Sequence, residues 1–263
     1  MHHGTAPPRL GAFPSLHDAM RATLAAALLL LLAGCAERGD PPAASDPIAS
    51  SPVTDPAPPA PGASDEAASD TVTVVFFGDS LTAGYGLGRP DRDAYPALLE
   101  RAWRDDGLTV RVVNAGVSGE TSAGGLRRVD WIVQRTPPDV FVLALGANDG
   151  LRGTSVDAMR DNLAATLDAV REAAPDARLV LAGMEALPNY GQSYTRSYRE
   201  VFPDVAEDAD AARIPFLLDG VAGNAALNQA DGVHPTAEGQ RRIAETVGDV
   251  VTPIVRELAA SRS

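Results

Sequence analysis

The chain has 263 residues and a formal charge of −13 at neutral pH, and all 22 of its basic residues are arginine. The absence of lysine excludes Schiff-base and lysine-base catalysis, and an acidic chain with no basic cluster argues against nucleic acid as a partner. The lone cysteine, Cys35, excludes an intrachain disulfide, a cysteine-based zinc site and an internal redox pair.

The first 34 residues read as an export signal. Met20 and Arg21 are followed by an apolar stretch over 24–33, then by Gly34-Cys35. A basic start, a short apolar core and small residues before a cut are the parts of a secretory signal. The apolar core is about half of the roughly 20 residues a spanning helix needs, so no membrane-spanning helix is expected here. Met20 is the expected true start, because the Pro- and Gly-bearing residues ahead of it make a poor signal n-region. Leu32-Ala33-Gly34-Cys35 resembles a bacterial lipobox, which implies cleavage before Cys35, a lipid on its sulfur and attachment to a membrane. Ala36 in place of an aspartate points to the outer membrane. Residues 36–70 are mostly Pro, Ala, Ser and Asp, with too little apolar surface to offset the entropy of ordering, and read as an extended tether.

Residues 71–263 carry a strand–helix rhythm. An apolar run over 72–77 suits a buried strand and turns at Gly78 into a helix start. A helix is expected over 95–105, a second strand over 109–114, a helix over 126–134 and a third strand over 139–145. Val156, Met159, Leu163, Leu167 and Val170 recur at spacings of three and four, the mark of one apolar helix face. A fourth strand is expected over 178–182, a loop at 188–191, a helix around 198–211, a fifth strand over 214–218 and a closing helix striped from Ile243 to Leu258. Alternating strands and helices predict an α/β fold with a parallel sheet covered on both faces. Five strands fit a flavodoxin-like three-layer α/β/α sandwich, and the domain is too short for an eight-fold barrel.

The first three strands each end in a glycine-rich turn on the same carboxyl edge, with Ser80, Gly119 and Asn148 beyond them. Ser80 has two readings on its own stretch: Asp79 or Ser80 can cap the helix that follows, or the hydroxyl can act as a nucleophile. The segment Asp231-Gly232-Val233-His234-Pro235-Thr236 also has two readings. Its dipeptides are turn signals and Thr236 can cap the last helix, yet it holds the only histidine beyond the export segment, with an acid three residues earlier. A serine needs a base to remove its proton, and a carboxylate fixes that base's tautomer. Acyl transfer also needs donors for the oxyanion. Those on offer are the backbone N–H groups of Ser80 and Gly119 and the side-chain amide of Asn148.

With these residues in order the chain resembles the SGNH hydrolases, also called GDSL esterases. Gly78-Asp79-Ser80-Leu81, Gly119, Gly146-Ala147-Asn148-Asp149 and Asp231-Gly232-Val233-His234-Pro235 match its four blocks. Asn148-Asp149-Gly150-Leu151-Arg152-Gly153 and Pro188-Asn189-Tyr190-Gly191 are similar to the arylesterase and multifunctional thioesterase–lysophospholipase branch. The resemblance implies a Ser80 nucleophile, a His234 base, an Asp231 orienting acid and an oxyanion hole of Ser80, Gly119 and Asn148. Leu81, Ala147, Pro188 and Tyr190 are the expected pocket residues, with Ala147 replacing a glycine frequent in that branch. The turn lacks the second glycine of the Gly-x-Ser-x-Gly elbow, since Thr82 stands there. The expected activity is a serine esterase with no metal or cofactor, acting on short or medium acyl esters, aryl esters, thioesters or lysophospholipids. The rival readings are a polysaccharide O-deacetylase and a non-catalytic tethered binding protein.

Overall fold

In a computed structural model the described residues are 70–262. Met20, Cys35 and nearly all of the tether lie outside them. Among the described residues no helix is long and apolar enough to cross a membrane.

Five parallel strands form one sheet: β1 (Val72–Gly78), β2 (Val110–Gly116), β3 (Val140–Ala144), β4 (Arg178–Ala182) and β5 (Ala212–Ile214). Their order is β2-β1-β3-β4-β5. The chain therefore steps outward from β1 to β2, then crosses back to the other side of β1 for β3. At such a switch point the two crossovers leave in opposite directions and open a crevice at the carboxyl edge.

The helices are α1 (Ser80–Ala83), α2 (Pro90–Asp93), α3 (Tyr95–Asp105), α4 (Ser122–Leu126), α5 (Val129–Arg135), α6 (Ala147–Arg152), α7 (Val156–Ala173), α8 (Gln192–Asp208) and α9 (Ala237–Arg262). Helices α3 and α9 pack together over one face of the sheet, and α4, α5, α7 and α8 cover the other. This is the expected three-layer sandwich. Because both faces are covered, β3 is apolar throughout and β1 is nearly so, broken only by Thr73 and its closing glycine, with Phe76, Phe77, Phe141 and Leu143 fully buried. On the α3 side Phe76 meets Tyr95 edge-on and stacks near Trp103, while on the other side Phe77 packs against Phe141.

The main differences from the sequence reading lie in three elements, with smaller shifts at the ends of others such as β2 and β3. The fifth strand pairs over 212–214, not 214–218, because Pro215 has no N–H to continue a ladder. The apolar residues after it leave the sheet; Leu217 enters the core, and Phe216 and Leu218 line a cavity. The helix expected over 126–134 is two pieces, α4 and α5, interrupted at Arg128. That side chain ion-pairs with Glu120, donates to the Ala115 carbonyl at 2.8 Å and lies over the Phe77 ring. The helix expected around 198–211 begins earlier, at Gln192, and ends at Asp208.

Candidate active site

Ser80 is the first residue of α1, directly beyond β1. The capping role falls to its neighbour: Asp79 Oδ1 accepts the N–H of Leu81 at 2.9 Å. Of the two readings, capping thus belongs to Asp79, and the Ser80 hydroxyl is left to other partners. The turn is tight on both sides. A Cβ on Gly116 would lie 2.4 Å from the Ala83 nitrogen, so only glycine lets β2 end this close to α1.

The Ser80 hydroxyl is 3.0 Å from His234 Nε2, and His234 Nδ1 is 2.7 Å from Asp231 Oδ2. Asp231 Oδ1 also accepts the backbone N–H groups of Val233 and His234, at 2.9 and 3.0 Å. These bonds, led by the His234 N–H, hold the carboxyl down at about 2. The carboxylate therefore stays ionised and accepts a hydrogen bond from the Nδ1-protonated tautomer of His234, in which Nε2 is the acceptor for the serine hydroxyl. The loop is fastened from below. Gln229 donates to the His234 carbonyl at 2.7 Å, and Thr236 Oγ1 accepts the N–H of Gly239 at the start of α9. Gln240 of α9 receives the Tyr95 N–H and donates to the Leu81 carbonyl, coupling this half of the site to α1. Tyr85, 54% exposed, lies against the His234 ring at 4.6 Å between centroids.

Asn148 is the second residue of α6, beyond β3. Its amide nitrogen donates to Asp79 Oδ2 at 3.1 Å. An amide has two N–H donors, so one remains for a ligand beside Ser80. Asp79 is fully buried, and burial pushes its carboxyl up to about 6 against the opposing effect of these hydrogen bonds. Gly119 follows β2 with φ +78°, in the left-handed region that favours glycine. The turn ahead of it is pinned where Val117 donates to the Gly78 carbonyl at 2.9 Å, and Arg152 of α6 donates to the Gly119 carbonyl at 3.0 Å.

A cavity of about 410 Å³ opens over Ser80, Asn148 and His234. Its walls are mainly apolar, with Leu151, Met184, Leu187, Phe216 and Val233 among them. Leu81, Ala147 and Pro188 line it as expected from the sequence. Tyr190 stands outside it: its ring packs against Tyr194, and its hydroxyl donates to the Leu151 carbonyl at 2.7 Å. Gly119 is not part of the cavity wall. Sequence reasoning casts Asp79 only as a cap and assigns no role of their own to Tyr85, Ser122 or Asp149. For Asp149 the only signal is its place beside Asn148 at the end of an apolar strand, where a buried acid needs a partner.

A hydroxyl facing an imidazole nitrogen, with a carboxylate behind the ring and the Asn148 amide in the same cavity, can attack a carbonyl. Relatives of the chain fit that chemistry. Residues 76–242 match the model of the GDSL-like Lipase/Acylhydrolase family. Esterase TesA of Pseudomonas aeruginosa is 39% identical over 190 residues, which span 72% of this chain and 92% of that protein. The Thioesterase 1/protease 1/lysophospholipase L1 of Escherichia coli K12 is 33% identical, over 70% of this chain and 85% of its own. The psychrotrophic esterase EstA from Pseudoalteromonas sp., solved inhibited by monoethylphosphonate, is 33% identical. It superposes with a TM-score of 0.65 over 70% of this chain and 98% of its own. On these matches the chain belongs to the GDSL-like lipase/acylhydrolase family.

Proposed function

We propose that this protein is a serine esterase in which Ser80 is the nucleophile, His234 the general base and acid, and Asp231 the residue that orients the imidazole. The observation that carries this is the continuous hydrogen-bonded run from Ser80 Oγ through both His234 nitrogens to Asp231 at the cavity mouth. Ser80 Oγ attacks the ester carbonyl as its proton passes to His234 Nε2. The oxyanion is held by the Ser80 N–H, the Gly119 N–H and the free N–H of the Asn148 amide. His234 returns the proton to the leaving alcohol or thiol, and water then cleaves the acyl-enzyme by the same route. No metal or cofactor enters any step.

The substrate we propose is an acyl or aryl ester of short to medium chain, with thioesters and lysophospholipids in the same class. The apolar cavity wall supports this reading, since a saccharide would call for polar groups along the walls. We also propose that residues 1–34 direct export, that Cys35 carries lipid anchoring the protein to the outer membrane, and that residues 36–70 tether the domain. Mass measurement of the membrane-extracted protein checks this: an uncleaved, unlipidated Cys35 contradicts it.

Initial rates on a p-nitrophenyl ester series, set against acetyl release from acetylated xylan, test the activity. The expected outcome is turnover of the esters with little release from xylan, all of it lost in Ser80→Ala. Preferential release from xylan would favour a deacetylase, and no turnover of either substrate would favour a non-catalytic protein.

A further inference from the structure

Two of the oxyanion donors assigned above sit on different crossovers. Gly119 follows β2 and Asn148 follows β3, and both strands pair with β1 and not with each other. The sheet ladder alone therefore leaves their spacing to the loops. A buried polar pair spans that gap. Asp149, which is 1% exposed, accepts the Ser122 N–H on Oδ2 at 2.8 Å and the Ser122 hydroxyl on Oδ1 at 2.7 Å. Asp149 directly follows Asn148, and Ser122 stands three residues after Gly119 at the start of α4. Asn162 of α7 donates to the Ser122 hydroxyl at 3.1 Å, so that oxygen both gives and receives.

Two bonds from one residue to both carboxylate oxygens fix direction as well as distance, and both partners lie away from water, where such bonds are strongest. A carboxylate at this depth is costly to desolvate, and an apolar pair would pack without that cost. What the apolar pair lacks is direction. Oxyanion donors must stand about 2.7–3.1 Å from the developing charge, and a misplacement of about 1 Å can cost on the order of 100-fold in rate.

We propose that Ser122 and Asp149 are positioning residues that set the spacing between the Gly119 N–H and the Asn148 amide for the tetrahedral intermediate. The proposal rests on Gly119 and Asn148 being the donors. Neither Ser122 nor Asp149 touches the substrate.

The test uses the full chain and p-nitrophenyl butyrate. Ser122→Ala is expected to lower kcat by about 10- to 100-fold, with KM within about twofold, because ground-state binding is untouched. Asp149→Asn keeps the shape and one acceptor and should lower kcat in the same sense, so the prediction survives if either variant fails to fold. Thr166→Ala, which removes another buried hydroxyl, one that bonds within α7, should cost thermal stability and leave kcat unchanged. Adding Ser122→Ala to Asn148→Ala should cost less than Ser122→Ala alone, since one of the donors it places is already gone. Purely structural residues would give full additivity. If Asn148→Ala lowers kcat while Ser122→Ala and Asp149→Asn leave it within twofold, or if the losses simply add, the positioning role is overturned and the oxyanion assignment stands. If Asn148→Ala itself leaves kcat unchanged, the assignment beneath it fails.

Discussion

The Asp231–His234 segment carries its proposed acid and base three residues apart on one loop, and among the described residues the side chain of Asp231 bonds within that loop. The proposed oxyanion side gathers Ser80, Gly119 and Asn148 from three crossovers; Asn148 bonds the buried Asp79, and a buried Ser122–Asp149 pair joins the segments after β2 and β3. The first half is assembled by local chain geometry at the surface. The second exists only once the sheet has brought β1, β2 and β3 together. Proton transfer tolerates a loop that adjusts, whereas electrostatic stabilisation depends on donors that are in place before the charge appears.

The contrast predicts how each half breaks. The largest effect is expected at the local half: Asp231→Asn should lower kcat by about 10⁴-fold with little change in thermal stability, because it loses the tautomer and the charge but no packing. A thermal melt beside the kinetics checks this. A loss of folding would mean that the loop supports more of the domain than its own turn. Asn148→Ala comes next, with kcat lower by about 10²- to 10³-fold.

Asp79→Asn should be smaller in rate, about tenfold, but it carries a pH signature opposite in sign to that of the lowered Asp231 carboxyl. Folding raises the Asp79 carboxyl from 3.8 to about 6 by burial, so the folded state holds its proton more tightly than the unfolded chain between those values. The charged form therefore opposes folding in full above about pH 6, and that opposition fades as the pH falls toward 4. Asp79→Asn removes it. The melting temperature of the variant relative to wild type should rise as the pH goes from 4 to 7, a change worth up to about 3 kcal/mol by linkage. A difference independent of pH would contradict the buried-charge account. The smallest effect is expected at Tyr85, whose exposed ring lies against His234: Tyr85→Ala should change kcat/KM by less than about threefold.

The same contrast explains what the sequence made legible. Asp231 and His234 were visible because their partnership spans three residues, and β1 through β4 because their apolar runs are bounded by turns. The bounds expected for α3 and β4 match those observed. Asp79 looked like a cap and is one, but its second oxygen holds Asn148, 69 residues away. The Ser122–Asp149 pair spans 27 residues and becomes a contact only through the crossover order. Periodicity cannot reveal such pairs, since neither partner stands out from its own segment. The fifth strand differs from its expected bounds for another reason. The apolar residues after Ile214 read as a strand, and only Pro215 marks the point where they leave the ladder for the core and the cavity.

The central claim is that Ser80 is the group that attacks. A fluorophosphonate probe followed by peptide mapping tests it most directly, because the reagent bonds only to an oxygen activated by its surroundings. One equivalent of label per chain on the peptide carrying Ser80, absent in Ser80→Ala and strongly slowed in His234→Ala, is the predicted result. No label on an esterase-active protein, or label on another residue with Ser80→Ala still active, would contradict the account.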